Sequence, residues 1–170
     1  FLRPKNISTD SSKDIESFYY FYKWLESNNK KIPDLFVHLR ATAPLINFKD
    51  IDLAIKSINK KKDADSLKSI RETFMSPYKM WSLNKNGFMK PILKLPKKNI
   101  EAWNMSRHDL PKVFWQDAQI DIVKRKTLAN LSMSGKKILP YFIKNQDVVD
   151  VDNKIDLLDL KIRLNLKKNL

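Results

Sequence analysis

The sequence contains no cysteine and only two glycines among its 170 residues. Without cysteine, disulfide bonds, thiolate metal sites and a cysteine nucleophile are all excluded. The two glycines, Gly87 and Gly135, are too few for a glycine-rich loop that cradles phosphates. No apolar run reaches the length of a membrane span and no secretory signal is visible, so a cytoplasmic protein is expected.

Positive charge is abundant, because 33 Lys and Arg stand against 19 Asp and Glu and give a formal net charge of +14. Charge of this sign favours anionic partners such as nucleotides, acidic sugars, nucleic acid or membrane surfaces. The lysines are spread along the chain, which is typical of a generally basic surface, so neither nucleic acid nor a membrane is expected as a partner. A hydrophobic content of 42% over this length predicts one globular domain with a sizeable core.

Hydrophobic periodicity predicts an α/β fold with a mostly parallel sheet. The apolar run at 35–39 is typical of a buried parallel strand, and with the helix capped by Asn47 it forms half of a βαβ unit. Asn86-Gly87 predicts a hairpin between 78–83 and 88–93, followed by an irregular segment over 94–114. Further strands are predicted at 64–71, 120–123 and 138–143, and further helices after Asp10–Asp14, at 126–131 and after Asn153.

An acidic stretch, Val148–Asp152, alternates apolar and acidic residues, which is typical of the end of a strand. In a strand, Asp150 and Asp152 would point to the same face, where two carboxylates repel unless a cation such as Mg²⁺ lies between them. Alternatively, Asp152 or Asn153 caps the following helix, and Asp156 complements its dipole.

The remaining chemistry is carried by cations rather than by a nucleophile or a histidine metal site. His38 and His108 lack the spacing of metal ligands, and His38 in a strand is expected to be a packed core residue. Each loop cation alone is typical of a solvated surface, but several at the strand ends of a doubly wound sheet would form a nucleotide-phosphate site. These cations are Arg3, Arg40, Lys79 and Arg107.

Six segments, in the same order along the chain, resemble the acylneuraminate cytidylyltransferases, or CMP-sialic acid synthetases. The resemblance extends from Phe1 nearly to the end and implies a Rossmann-like nucleotidyltransferase sheet. The segments are Arg3-Pro4 with Ser8-Thr9-Asp10, His38–Leu45 with Asp50-Ile51-Asp52, Pro77–Met80, Arg107–Lys112, Ser132–Gly135 and Val149–Asp152.

The resemblance implies that the anomeric hydroxyl of a nonulosonic (sialic-type) acid attacks the α-phosphate of CTP, giving a CMP-sugar and pyrophosphate. It also implies that Asp150 and Asp152 hold the Mg²⁺ this reaction requires, and that one of them helps to deprotonate the sugar hydroxyl. Lys79 and Arg107 would meet the sugar or the phosphates as catalytic and substrate-binding residues.

By the same resemblance, Arg3 and Asp14 would bind the nucleotide, and Arg40 and His108 would bind the sugar acid. Residues 78–115 would be an inserted dimerisation and substrate arm of a homodimer. Four positions depart from the family pattern: Asp14 stands where some members have a nucleotide-binding serine, and His108 replaces the usual glutamine. Asp117-Ala118 replaces a common Asn-Gly, and Asp121 stands where several members have an aromatic residue. Because these departures lie near the expected sugar pocket, legionaminate- and pseudaminate-type acids stand beside N-acetylneuraminate as expected substrates.

The resemblance further implies that the family's first strand and its phosphate loop would precede Phe1. Residues 1–170 are therefore expected to form one N-terminally truncated cytidylyltransferase domain that is inactive by itself. Two alternatives remain open. One is a related cytidylyltransferase for another sugar acid, and the other is a non-catalytic basic binding module with its cations on one face among exposed aromatics.

Overall fold

The computed structural model describes residues 1–73, 75–96, 100–143 and 149–168. These residues form four α-helices: α1 (Asp14–Ser27), α2 (Phe48–Lys60), α3 (Arg125–Ala129) and α4 (Lys154–Lys168). Their six strands are β1 (Leu35–His38), β2 (Ser66–Glu72), β3 (Trp81–Leu83), β4 (Met89–Pro91), β5 (Phe114–Lys124) and β6 (Ile138–Phe142). The predicted α/β class and the predicted hairpin are both confirmed.

Within the described residues, four strands form one mixed sheet in the order β1-β5-β2-β6. Strand β5 is antiparallel to β1, and the bonds from Lys124 N to Asp65 O and from Ile120 N to Ser69 Oγ set it antiparallel to β2 as well. The sheet is thus mostly antiparallel, with β2 and β6 as its one parallel pair. The prediction of a mostly parallel sheet is wrong.

The direction of β5 follows from its connection. The chain leaves β2 at Glu72 and returns at Phe114, and the described residues between them contain no α-helix to carry it across the sheet. Parallel neighbours need such a crossover, whereas a chain that returns without one pairs antiparallel. The apolar residues of 120–123 indicate that the strand is buried, but they carry no information about its direction.

Strand β5 also begins earlier than the sequence predicts, at Phe114 rather than at Ile120. Its first half contains Asp117 and Gln119, which are buried and which obscure the strand pattern. Oδ1 of Asp117 accepts hydrogen bonds from the Ser69 hydroxyl and from the Gln119 backbone N–H, so burial of this oxygen is compensated.

The two faces of the sheet carry separate apolar clusters. Alternation along β1 directs Leu35 and Val37 to one side, where they pack with Ala54 and Ile58 of α2. Phe36 points to the other side, into a cluster completed by Leu25 of α1, Val123 of β5 and Leu128 of α3. The aromatic stripe of α1, which contributes Phe18 and Tyr22, packs against this second cluster as predicted.

The chain divides into two compact units, Phe1–Ser69 with Asp117–Leu170, and Ile70–Gln116. The second unit contains the hairpin β3–β4, which pairs Trp81 with Pro91 and Leu83 with Met89. No helix in the described ranges is both long enough and apolar enough to cross a membrane.

Candidate functional site

The carboxyl end of β1 carries the first group of candidate residues. His38 ends the strand on the same face as Phe36, and its ring lies 5.0 Å from the ring of Phe18 on α1. Arg40 follows two residues later, in the loop that joins β1 to α2. The strand therefore delivers an imidazole and a guanidinium to one edge of the sheet.

Arg40 lies between two carboxylates. Its Nη2 is 2.9 Å from Asp121 Oδ2 on β5 and 3.6 Å from Asp14 Oδ2 at the start of α1. Its Nη1 donates a 2.8 Å hydrogen bond to the carbonyl of Ala118. Lys68 of β2 approaches the same Asp121 oxygen to 3.6 Å. We call Asp14, His38, Arg40, Lys68 and Asp121 the Arg40 cluster.

The members of the Arg40 cluster differ in burial, and this decides which contacts matter. The side chain of Asp121 is 8% exposed, and its Oδ1 has no hydrogen-bond partner in the described part of the chain. Asp14 is 57% exposed, so water screens its pairing with Arg40. Burial lowers the pKa of His38, and the neighbouring Arg40 cation lowers it further, which favours the neutral imidazole.

Lys68 was not among the predicted site residues, and no ion partner was predicted for Asp121. Both residues lie inside predicted strands, and opposite charges that two neighbouring strands bury are costly unless they pair. That signal could have identified the contact. Asp14 and Arg40, by contrast, were predicted as site residues, and the structure brings them together with His38.

The described part of the acidic stretch, 149–152, forms no strand, so the predicted strand geometry of Asp150 and Asp152 is wrong. Residues 149–151 have no strand assignment, and Val148 lies outside the described residues. The backbone N–H of Val151 instead donates a 2.8 Å hydrogen bond to the carbonyl of Thr42. This bond joins the acidic stretch to the β1–α2 loop. The stretch therefore contacts a loop where the prediction placed it in a strand.

Helix α4 is capped by residues other than the two candidate metal ligands. Asn153 Oδ1 accepts the N–H groups of Ile155 and Asp156, while Asp156 Oδ2 accepts the N–H groups of Asp152 and Asn153. This is the reciprocal arrangement of a capping box. Of the two residues that the sequence offered as caps, Asn153 fills the role with its side chain.

The carboxylates of Asp150 and Asp152 therefore take no part in capping α4. Both residues are exposed, and neither side chain forms a hydrogen bond or ion pair with the described residues. Two exposed carboxylates suit Mg²⁺, which prefers oxygen ligands and commonly takes its remaining ones from substrate phosphates and water. The described ranges contain no group of three His, Cys, Asp or Glu side chains that could hold a metal ion, so any Mg²⁺ here would have at most these two carboxylates from the described residues.

Arg3, predicted to meet the nucleotide, binds side chains of its own unit. Its Nε donates to Ser8 Oγ and its Nη1 donates to Ser17 Oγ on α1, both at 3.0 Å. The Ser8 hydroxyl in turn donates to the carbonyl of Pro4. These bonds hold the N-terminal segment against α1 and leave part of the exposed guanidinium open to an anion.

In the second unit, Lys79 joins its own 3₁₀ turn, Pro77–Lys79, to the segment 103–105 of the irregular region. Its Nζ donates to the carbonyls of Trp103, at 2.9 Å, and Met105, at 2.6 Å. The ring of Trp103 also lies 4.9 Å from that of Trp81 on β3. An ammonium has three donors, so one N–H of Lys79 remains for a further acceptor.

Arg107 and His108 line a cleft of about 400 Å³ in the same unit, opposite Glu72 and Thr73. They belong to a short 3₁₀ turn, Arg107–Asp109, just beyond the segment that Lys79 holds. Arg107 has no ion pair or hydrogen bond from its side chain among the described residues. The cleft is therefore positively charged and open to an anionic group.

No protein-family model matches the chain. A search among curated proteins likewise finds no match.

Proposed function

We propose that the protein is a cytidylyltransferase that transfers CMP from CTP to the anomeric hydroxyl of a nonulosonic acid. In this reaction the sugar oxygen bonds to the α-phosphorus and pyrophosphate leaves, while the hydroxyl proton passes to a nearby carboxylate. The proposal extends the resemblance of six ordered segments to the acylneuraminate family.

One contact carries the proposal most directly, the hydrogen bond from Val151 N to Thr42 O. It ties the acidic stretch to the loop that holds Arg40, although the two are far apart in sequence. Carboxylates and a cation carried by two segments in contact are what transfer of a phosphoryl group between anionic substrates needs. In open α/β sheets, ligands bind in such positions beyond the carboxyl ends of strands.

The framework supports this placement. Strands β1 and β2 are each antiparallel to β5 and so parallel to each other, with α2 linking them. Helices on both faces of the sheet add the layered arrangement of an α/β protein.

The side chains divide naturally between the substrates. Asp150 and Asp152 would hold Mg²⁺, which would neutralise charge on the triphosphate when bound. Arg40 would meet the sugar acid, and Arg3 and Asp14 would lie at the nucleotide. Arg107 and His108 would offer their cleft to an anionic group, and the remaining N–H of Lys79 would reach a substrate oxygen.

The test is pyrophosphate release by the protein expressed from its complete coding sequence. Wells contain CTP and Mg²⁺ with N-acetylneuraminate, a legionaminate-type acid, a pseudaminate-type acid or a sugar acid of another class. We expect turnover with CTP only when Mg²⁺ and one of the nonulosonic acids are both present. ATP and GTP replace CTP in matched wells, and a chelator replaces Mg²⁺.

Each contrary outcome has a distinct meaning. Turnover without a sugar acid, or equal use of ATP and GTP, would contradict the cytidylyltransferase assignment. Turnover only with the acid of another class would select the related enzyme instead. If no well releases pyrophosphate and the protein binds a labelled oligonucleotide in a salt-dependent manner, the basic binding module is favoured.

A further inference from the structure

The Arg40 cluster contains a row of ionisable side chains that crosses three neighbouring strands. His38 of β1 faces Asp121 of β5 in the antiparallel register, and Lys68 of β2 approaches Asp121 from the other side. Arg40 follows His38 by two residues and reaches the same Asp121 oxygen. One buried carboxylate is therefore the common partner of two cations.

Burial makes Asp121 the dominant partner of Arg40. An ionised carboxylate that is withdrawn from water is costly unless cations and donors compensate it, so the pairing is strongly favoured. Asp14 is farther from the guanidinium and mostly exposed, and exposed pairs contribute little. The position of Arg40 thus depends on Asp121 far more than on Asp14.

A second contact fixes the plane of the guanidinium. While Nη2 binds Asp121, Nη1 donates to the carbonyl of Ala118, a residue with φ of 57°. Two hydrogen bonds from different nitrogens of a planar group leave it little rotational freedom. Both acceptors belong to β5, so one rigid strand orients the side chain of a loop residue.

We propose that Asp121 is a positioning residue, which holds the Arg40 guanidinium in the orientation that meets the negatively charged sugar acid. Lys68 also pairs with Asp121. Its positive charge would help to keep the carboxylate of Asp121 ionised and paired with Arg40 when the substrate approaches. The link to the sugar acid rests on the proposed function, whereas the positioning of Arg40 by Asp121 can be tested without it.

The kinetic test uses Asp121→Asn, which keeps the shape of the side chain and removes its charge. Arg40 and Lys68 then lose their shared buried carboxylate, Arg40 keeps only the exposed Asp14 as an ion partner, and its guanidinium should turn away. We expect KM for the sugar acid to rise at least about tenfold, with little change in KM for CTP. Asp34→Asn is the matched control, because Asp34 forms an Arg–Asp pair with Arg125 but is 87% exposed.

A double-mutant cycle asks whether Asp121 acts through Arg40. Arg40→Ala alone should cost about as much in kcat/KM as Arg40→Ala with Asp121→Asn, since a residue that only positions Arg40 is silent once Arg40 is gone. Losses that multiply would overturn the proposal. If Asp121→Asn folds poorly, Asp121→Asn with Lys68→Met removes one unpaired cation, and we expect it to restore folding but not the KM.

A structural measurement separates this proposal from the proposed function. The guanidinium N–H signals of Arg40, assigned in NMR spectra by their loss in Arg40→Lys, should be protected from exchange without substrate. We expect that protection in wild type and Asp34→Asn, and its loss in Asp121→Asn. Protection that survives in Asp121→Asn would overturn the positioning role, whereas absence of turnover in wild type would overturn only the proposed function.

Discussion

Neighbouring side chains in the acidic stretch have separate tasks. Asn153 and Asp156 satisfy the free N–H groups at the start of α4, whereas Asp150 and Asp152 remain exposed. A substitution can therefore remove the proposed metal ligands without disturbing the cap. This separation makes stability and activity independent readouts.

We predict that Asp150→Asn and Asp152→Asn each lower kcat by at least about a hundredfold, or roughly 2.7 kcal/mol of transition-state stabilisation. Melting temperatures should stay close to wild type, because neither side chain has a partner among the described residues. The measurement is kcat across a Mg²⁺ titration, with thermal melts of each variant.

Asn153→Ala provides the opposite control. It removes the acceptor of the Ile155 and Asp156 N–H groups and should cost about 1 kcal/mol of stability, while activity at low temperature is retained. Wild-type activity in Asp150→Asn or Asp152→Asn would show that the substituted aspartate is a solvated surface residue and not a metal ligand.

His38 makes the stability of the protein depend on pH. Its pKa lies below the ordinary value of 6.5 because burial and the Arg40 cation oppose the charged ring. The unfolded chain therefore binds more protons than the folded chain as pH falls below 6.5. The resulting stability is present above that pH and is lost as pH falls through the folded pKa.

We predict that His38→Gln flattens the decline in the free energy of unfolding between about pH 7 and pH 5. Urea titrations at several pH values measure this difference. His108→Gln, in the second unit, is measured in parallel as the matched control. An unchanged slope in His38→Gln would show that the imidazole does not contribute to the acid sensitivity.

The turn between α3 and β6 depends on one glycine. Gly135 has φ of 66°, and Asp65 lies directly against it. Asp65 Oδ2 accepts the N–H groups of Lys136 and Lys137, both at 3.0 Å, and these donors lower the pKa of its carboxyl group. The side chain cannot move aside without giving up both bonds.

We predict that Gly135→Ala destabilises the protein by about 2 to 4 kcal/mol, since its Cβ would lie 2.4 Å from Asp65 Cβ in a backbone conformation that alanine disfavours. Gly87→Ala has a similar positive φ but no atom within 4 Å of the new Cβ, so it should cost only about 1 kcal/mol. Urea midpoints decide the comparison, and equal losses would contradict the role of Asp65.

The second unit exposes apolar side chains on its hairpin. Leu83 and Phe88 are 74% and 71% exposed, and Met89 beside them is also exposed. Large apolar side chains grouped on a surface are typical of a contact between proteins. They accord with the expectation that residues 78–115 form a dimerisation arm, which stays a prediction.

We predict that the protein is a homodimer in solution and that Leu83→Lys with Phe88→Lys shifts it to monomer. Two buried lysines would oppose an apolar interface strongly. Phe48→Lys is the matched control, because Phe48 on α2 is 69% exposed but far from the hairpin in sequence. Analytical ultracentrifugation measures the mass, and a double variant that stays dimeric would place the interface elsewhere.

Local chemistry made several elements predictable. The aromatic stripe of α1, the apolar run of β1 and the Asn47 cap of α2, whose Oδ1 accepts the Lys49 N–H, lie where periodicity and capping placed them. Asn86-Gly87 likewise marked the hairpin, although its strands are shorter than predicted. Each of these signals depends on residues within a few positions of one another, so the sequence by itself determined them.

Tertiary structure alone decided the rest. The direction of β5, the pairing of Lys68 and Arg40 with Asp121, and the bond between Val151 and Thr42 all join residues that are distant in sequence. Their energies depend on which strands become neighbours and on how much water burial removes, and neither quantity is encoded in a local pattern. The same residues could lie on a solvated surface until the sheet brings them together.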